Sequence, residues 1–180
     1  MQVDLDIIEQ GWAALDLAGL IARCGTATLD HLGHDPACFA LSVLACDDAR
    51  IRALNGQFRG KDCATNVLSW PTWDLGAPTP GGLPDPPEPG TPDAPGELGD
   101  IALAFQTCRN EARAQGKTLH HHATHLVVHS TLHLLGYDHQ TDQDAEIMEK
   151  TEVLILAQMG IADPYAAQMG DAPTGVALLD

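Results

Sequence analysis

The sequence predicts an α+β fold. Strand-length apolar runs lie in the first part of the chain, and helices with recognisable boundary residues dominate the later part, so the two kinds of element are segregated. A length of 180 residues with no internal repeat suits one compact domain with a substantial core. That domain is expected to span residues 1–165, with residues 166–180 as a flexible tail.

The first element is VDLDII, Val3 to Ile8, which alternates apolar and polar residues as a half-buried strand does. From Trp12 to about Cys24 the residues Leu15, Leu17, Leu20 and Ile21 fall on one helical face. Cys38 to Cys46, CFALSVLAC, is a second strand. Asp47 then offers an N-cap, Ile51, Leu54 and Phe58 recur at helical spacing, and Gly60 follows Arg59 as a C-cap. Asn66 to Trp70, NVLSW, forms the third strand candidate. Between Pro71 and Gly96 lie nine of the twelve prolines, which excludes a helix or a central strand and predicts an extended surface loop.

Chain order resumes with a strand at Leu98 to Phe105, a polar helix around Thr107 to Gln115, and a helix from about Leu119 to Leu135 that Gly136 should end. In the last helix Thr141 and Asp144 form a capping box, Ile147, Met148, Thr151, Leu154 and Ile155 make the apolar face, and Gly160 and Pro164 supply the stop.

A formal net charge of −16 argues against general nucleic-acid binding, which leaves a basic footprint. Of the nine basic residues, however, Arg50, Arg52, Arg59 and Lys61 form one group and Arg109, Arg113 and Lys117 another. If the fold joins them beside the histidines, a local cationic patch results. The five cysteines (Cys24, Cys38, Cys46, Cys63, Cys108) are odd in number and widely spaced, which excludes a disulfide framework and a cysteine zinc site and fits a reducing, cytoplasmic setting. MQVDLDIIEQ at the start has acids where an export signal would have basic residues. The longest stretch without acids, Lys or Arg, Thr118 to Tyr137, holds six histidines and is therefore not a membrane span.

The chemistry concentrates in HSTLHLLGYDH, His129 to His139. Residues four apart share a helix face, so His129 and His133 can present two imidazoles to one metal. Gly136 gives the chain a place to turn, so that His139 can return as a third ligand. Three neutral imidazoles with an open fourth position is the arrangement of a catalytic zinc. A zinc protease would carry glutamate where Ser130 stands, and serine cannot act as that base near neutral pH. His125, one turn earlier on the same face, is either a fourth imidazole near the site or a packing and hydrogen-bonding partner, and the second is preferred because a fourth protein ligand would close the metal. His120, His121 and His122 read as solvated helix-start residues, and His31 and His34 as loop positions.

HSTLHLLGYDH resembles the motif HGxLHLxGYDH of the YbeY family of bacterial endoribonucleases, the rRNA maturation factors. LNGQFRGKDCATNVLSWP (Leu54 to Pro71) and LGDIALA (Leu98 to Ala104) resemble two further blocks of that family. The resemblance implies a small mixed sheet packed with helices and one zinc per chain at a helix end, held by His129, His133 and His139. It also implies that Arg59 grips the scissile phosphate. His125, Ser130 and Asp138 are the residues expected to support or pack against the ligands. The activity implied is cleavage of single-stranded RNA in late 3′-end maturation of small-subunit (16S) rRNA and in ribosome quality control. The implied partners are the rRNA precursor and small subunit, with a ribosomal protein or a ribosome-assembly GTPase. Ser130, Asn66 and Trp70 depart from the family's glycine, aspartate and phenylalanine, and the proline-rich segment reads as an insertion. Asp100 is expected to be a strand-start hydrogen-bond acceptor. A noncatalytic assembly factor with structural zinc and a metallopeptidase are the alternative readings.

Overall fold

The computed structural model describes residues 1–166; the predicted tail, 166–180, lies outside the described residues beyond its first member. Four strands, β1 (Gln2–Ile7), β2 (Phe39–Cys46), β3 (Val67–Pro71) and β4 (Gly96–Ala104), form one sheet in the order β1-β2-β4-β3. β2 runs parallel to both β1 and β4, while β3 pairs antiparallel with β4, from Val67 opposite Leu103 to Pro71 opposite Gly99. The helices are α1 (Leu17–His31), α2 (Asp48–Arg59), α3 (Phe105–Ala114), α4 (Leu119–Leu134) and α5 (Asp142–Gln158). The result is the α+β architecture expected, with a mixed sheet.

Position in the sheet follows from sequence. β2 is a nearly continuous apolar run, as is the second half of β4 (residues 101–104), and both strands occupy the centre, whereas β1 alternates and forms an edge, with Val3 and Leu5 half-buried and Asp4 and Asp6 exposed. One face packs against α1 and α4 through Leu41, Val43, Ile101 and Leu103; the other packs against α2 through Leu54, Leu68 and Ala102. α4 is the central helix, touching α1, α3, α5, β3 and β4. Because it is enclosed, its buried set runs around the whole cylinder, from Leu126, Val127 and Val128 to Thr124, Ser130 and Thr131.

Several boundaries differ from the sequence expectation. The helix expected from Trp12 is two elements: a 3₁₀ turn over Gln10–Ala14, then α1 from Leu17. Asp16 causes the break by accepting a hydrogen bond from the Gly19 amide as N-cap, while fully buried Trp12 donates its indole N–H to the Cys46 carbonyl. α1 then continues past Cys24 because Thr28 and Leu29 are buried, tertiary packing outweighing the weak propensity of Gly25 and Thr26. His31 is consequently helical, and its Nδ1 lies 3.1 Å from the Gln158 amide. α3 begins directly at Phe105, and the buried face of α5 is Met148, Glu152, Ile155 and Leu156, with Leu154 exposed at 55%. His122 is 3% exposed, contrary to the solvated role expected, because α3 covers it: Nε2 lies 2.8 Å from Glu111 Oε2.

The caps of α2 stand as expected, with Asp47 accepting from the Arg50 amide and Gly60 in the left-handed region at φ 68°. So does the capping box of α5, where Thr141 Oγ1 accepts from the Asp144 amide. The proline-rich segment is irregular, and it is tied down. The Gly81 amide donates to Asp144, the Gly90 amide to the Cys38 carbonyl, and Leu75 packs over Gly136.

α4 ends in a Schellman turn: the Gly136 amide donates to the His133 carbonyl and the Tyr137 amide to the Leu132 carbonyl. Gly136 takes φ 85°, and a Cβ there would stand 2.7 Å from the Leu75 backbone. Replacing Gly136 with alanine is expected to destabilise the fold by about 1–3 kcal/mol, seen as a drop in Tm of about 2–4 °C per kcal/mol. The same variant should hold metal more weakly, since the turn carries His139 back; an unchanged Tm would refute the steric argument.

Candidate metal centre

At the C-terminal end of α4, His129 and His133 lie on one face, four residues apart. The Schellman turn redirects the chain, and the Asp138 carboxylate accepts a 2.7 Å hydrogen bond from the His139 amide, folding His139 back. One ligand atom from each of His129, His133 and His139 lies within 4.8 Å of the others. His129 and His133 are half-buried and His139 is exposed. The site therefore has a protein wall and an open side.

The donor set suits a metal. His133 Nδ1 donates to the Tyr137 carbonyl at 2.9 Å, which leaves its Nε2 lone pair directed at His129 Nε2, 3.1 Å away. Two ligands of a tetrahedral zinc at ordinary bond lengths stand about 3.3 Å apart. Burial, reinforced by the neighbouring His129 and His139, lowers the His133 pKa to about 4, so this imidazole is neutral near pH 7 and able to ligate.

Beneath the imidazoles is a residue that sequence reasoning missed. Glu152 of α5 is fully buried, with Oε1 2.7 Å from His129 Nδ1 and Oε2 2.8 Å from His125 Nε2. Burial acts to raise its pKa, but the hydrogen bonds from His125, His129 and Tyr165 outweigh it and hold the carboxyl at about 2. The signal was present: Met148, Glu152 and Ile155 recur at helical spacing, so a carboxylate sat inside an apolar stripe.

The family model for the endoribonuclease YbeY matches residues 9–160. The chain belongs to the YbeY family. Among curated YbeY relatives, the endoribonuclease YbeY of Jannaschia sp. is 53% identical over 165 residues, covering 92% of this chain and 100% of its own length. That of Dinoroseobacter shibae is 54% identical over 167 residues, covering 93% and 92%. The solution structure of TM1509 from Thermotoga maritima superposes with a TM-score of 0.53 at 20% identity, covering 98% of this chain and 100% of that one, and so shares the fold.

Of the departures from the YbeY pattern, Asn66 and Trp70 make contacts suited to the residue present, and nothing in the structure explains Ser130. Asn66, where the family motif has aspartate, donates through Nδ2 to Glu111 at 2.9 Å. An aspartate would set two carboxylates together there. Trp70 meets Phe58 edge to face, with ring centroids 5.5 Å apart. Ser130 is fully buried, and its Oγ has no hydrogen-bond partner among the described residues. The position that carries a protease's glutamate thus faces the core here.

Arg59 is the last residue of α2, exposed, and no ion pair engages it among the described residues. α2 and α3 meet at their first turns, where Asp48 bonds to Gln106 and Thr107, and not every member of the two basic groups is available. Arg52 is held by Asp62 through two hydrogen bonds, and Arg109 lies over the Phe105 ring at 5.3 Å. The remaining large feature is a cavity of about 490 Å³ on the open part of the sheet, lined by Asp4, Asp6, Phe58, Trp70 and Asp100 among others. Asp100 thus lies mid-strand in β4, opposite Trp70, rather than at a strand start. All five cysteines are free, and burial pushes the Cys24 thiol up to about 12. No described helix is long and apolar enough to cross a membrane.

Proposed function

We propose that the protein is a zinc-dependent endoribonuclease that cleaves single-stranded RNA in late 3′-end maturation of small-subunit (16S) rRNA and in ribosome quality control. Its partners in this reading are the rRNA precursor and the small subunit, together with a ribosomal protein or a ribosome-assembly GTPase, in the cytoplasm. The observation that carries the reading is the convergence of His129, His133 and His139 in a chain of the YbeY family.

His129, His133 and His139 would hold one zinc and leave a coordination position open toward solvent on the exposed side of His139. When bound, zinc supplies Lewis acidity toward a phosphoryl oxygen and toward water. Arg59 would bind the scissile phosphate, its planar guanidinium matching two phosphoryl oxygens and neutralising charge that develops there. Single-stranded RNA suits such a site, since its phosphates and bases are reachable without entry into a groove. The net charge of −16 favours substrate delivery by the ribosome over capture of free RNA. That acidity also favours, as a second reading, a noncatalytic assembly factor with structural zinc. A peptidase lacks support, because buried Ser130 offers no proton acceptor.

Purified protein is expected to cleave an end-labelled single-stranded RNA, to lose that activity on chelation and to regain it with zinc, while leaving casein and duplex RNA intact. Intact RNA in a sample carrying about one zinc per chain, the content of a three-histidine site, both alone and with small subunits, would favour the assembly factor.

A further inference from the structure

Glu152 takes no part in the ligand set described above, yet it sits at the centre of a closed hydrogen-bond cluster. It is fully buried on α5 where that helix packs against α4. Its Oε1 meets His129 Nδ1 at 2.7 Å, its Oε2 meets His125 Nε2 at 2.8 Å, and the Tyr165 hydroxyl donates to the same Oε2. An ionised carboxylate only accepts, so every partner must donate. His129 therefore carries its proton on Nδ1 and keeps a lone pair on Nε2, the nitrogen that faces His133. An unpaired charge at this depth would be strongly destabilising, and three donors offset it.

We propose that Glu152 is a positioning residue for the metal: by accepting from His129 Nδ1 it fixes the tautomer and direction of that imidazole, while His125 and Tyr165 hold the carboxylate in place. The inference rests on the metal reading above. A carboxylate behind a ligating histidine raises the basicity of the ligand and removes its freedom to rotate, and loss of such a partner typically lowers metal affinity about 10–100-fold. His125 thereby gains a definite role, orienting the carboxylate from one helical turn away from the ligands.

One ligand atom from each of His125, His129 and Glu152 also lies within 4.8 Å of the others. The separations argue against a metal there. At 2.7 and 2.8 Å the nitrogen–oxygen pairs are hydrogen bonds, closer than the roughly 3.3 Å between two ligands of a tetrahedral zinc. The His129–His133 pair, at 3.1 Å, approaches that spacing.

The test compares full-length wild type, E152Q and Y165F by zinc competition against a fluorescent chelator, with zinc content, circular dichroism and ¹⁵N NMR of the zinc-free histidines. Expected are about one zinc per wild-type chain, a 10–100-fold weaker affinity in folded E152Q, a smaller loss in Y165F, and a proton on Nδ1 of His129 in wild type. Wild-type affinity in folded E152Q overturns the proposal, as does a His129 protonated on Nε2. Two zincs in wild type and one in E152Q would make Glu152 a ligand and overturn it too. A wild type that binds no zinc overturns the metal reading, and this inference with it. If E152Q does not fold, the tautomer in unmodified protein and the affinity of Y165F decide.

Discussion

His133→Ala is expected to abolish RNA cleavage and zinc binding together while leaving the fold in place. The imidazole is half-buried at the end of α4, with one nitrogen committed to the Tyr137 carbonyl and the other aimed at His129. Removing it leaves two histidines, one of them on the exposed turn, and two imidazoles do not hold zinc at the concentrations present in a cleavage assay. A metal supplies several kcal/mol of charge stabilisation in such reactions, so the rate should fall by about a thousandfold or more. The fold itself should survive, because the core around Leu126, Val127, Val128 and Leu132 is untouched. Metal analysis and single-turnover cleavage on the same preparation check this. A variant that keeps zinc and full activity would remove His133 from the site.

Arg59→Glu is expected to separate the two functions that His133→Ala loses together. The side chain projects from the end of α2, exposed and without an ion-pair partner among the described residues, so its replacement disturbs little packing. Reversing the charge at the helix C-terminus costs no more than about 1 kcal/mol of stability. Cleavage should nevertheless drop by about 10²–10³-fold, the scale on which a single donor to a developing negative charge acts, with zinc content unchanged. Cleavage at the wild-type rate would show that the phosphate is met by other cations, of which Arg50, Lys61 and Arg113 are the exposed candidates in the two basic groups.

How much of this was legible in the sequence depended on whether a residue's partner was local. Asp47 and Gly60 cap α2 through neighbours three to five positions away, and the spacing of His129, His133, Gly136 and His139 is itself a local pattern. Those features could be read directly. His122 and Glu152 could not, for a common reason: each is polar, and each is buried only because a separate helix lies across it, α3 for His122 and α4 for Glu152. A histidine-rich helix start looks solvated until the chain around it is known to enclose α4. The division at Asp16 was hidden differently. Apolar residues on both sides of it keep helical spacing, and only the burial of Trp12 against β2 shows that the first turn faces another way.

The proline-rich segment has a thermodynamic consequence. A long irregular stretch normally resists ordering because every residue in it surrenders backbone freedom, about 1–2 kcal/mol apiece. Nine prolines between Pro71 and Gly96 reduce that loss at its source, since a locked φ leaves the unfolded chain fewer conformations to give up. A handful of anchors, among them the Asp144 carboxylate on Gly81 and the Cys38 carbonyl on Gly90, can then immobilise it. The segment thereby serves as a stiff strap whose near end, at Leu75, rests on the turn that returns His139, so the rigidity of that turn is borrowed in part from the denatured state.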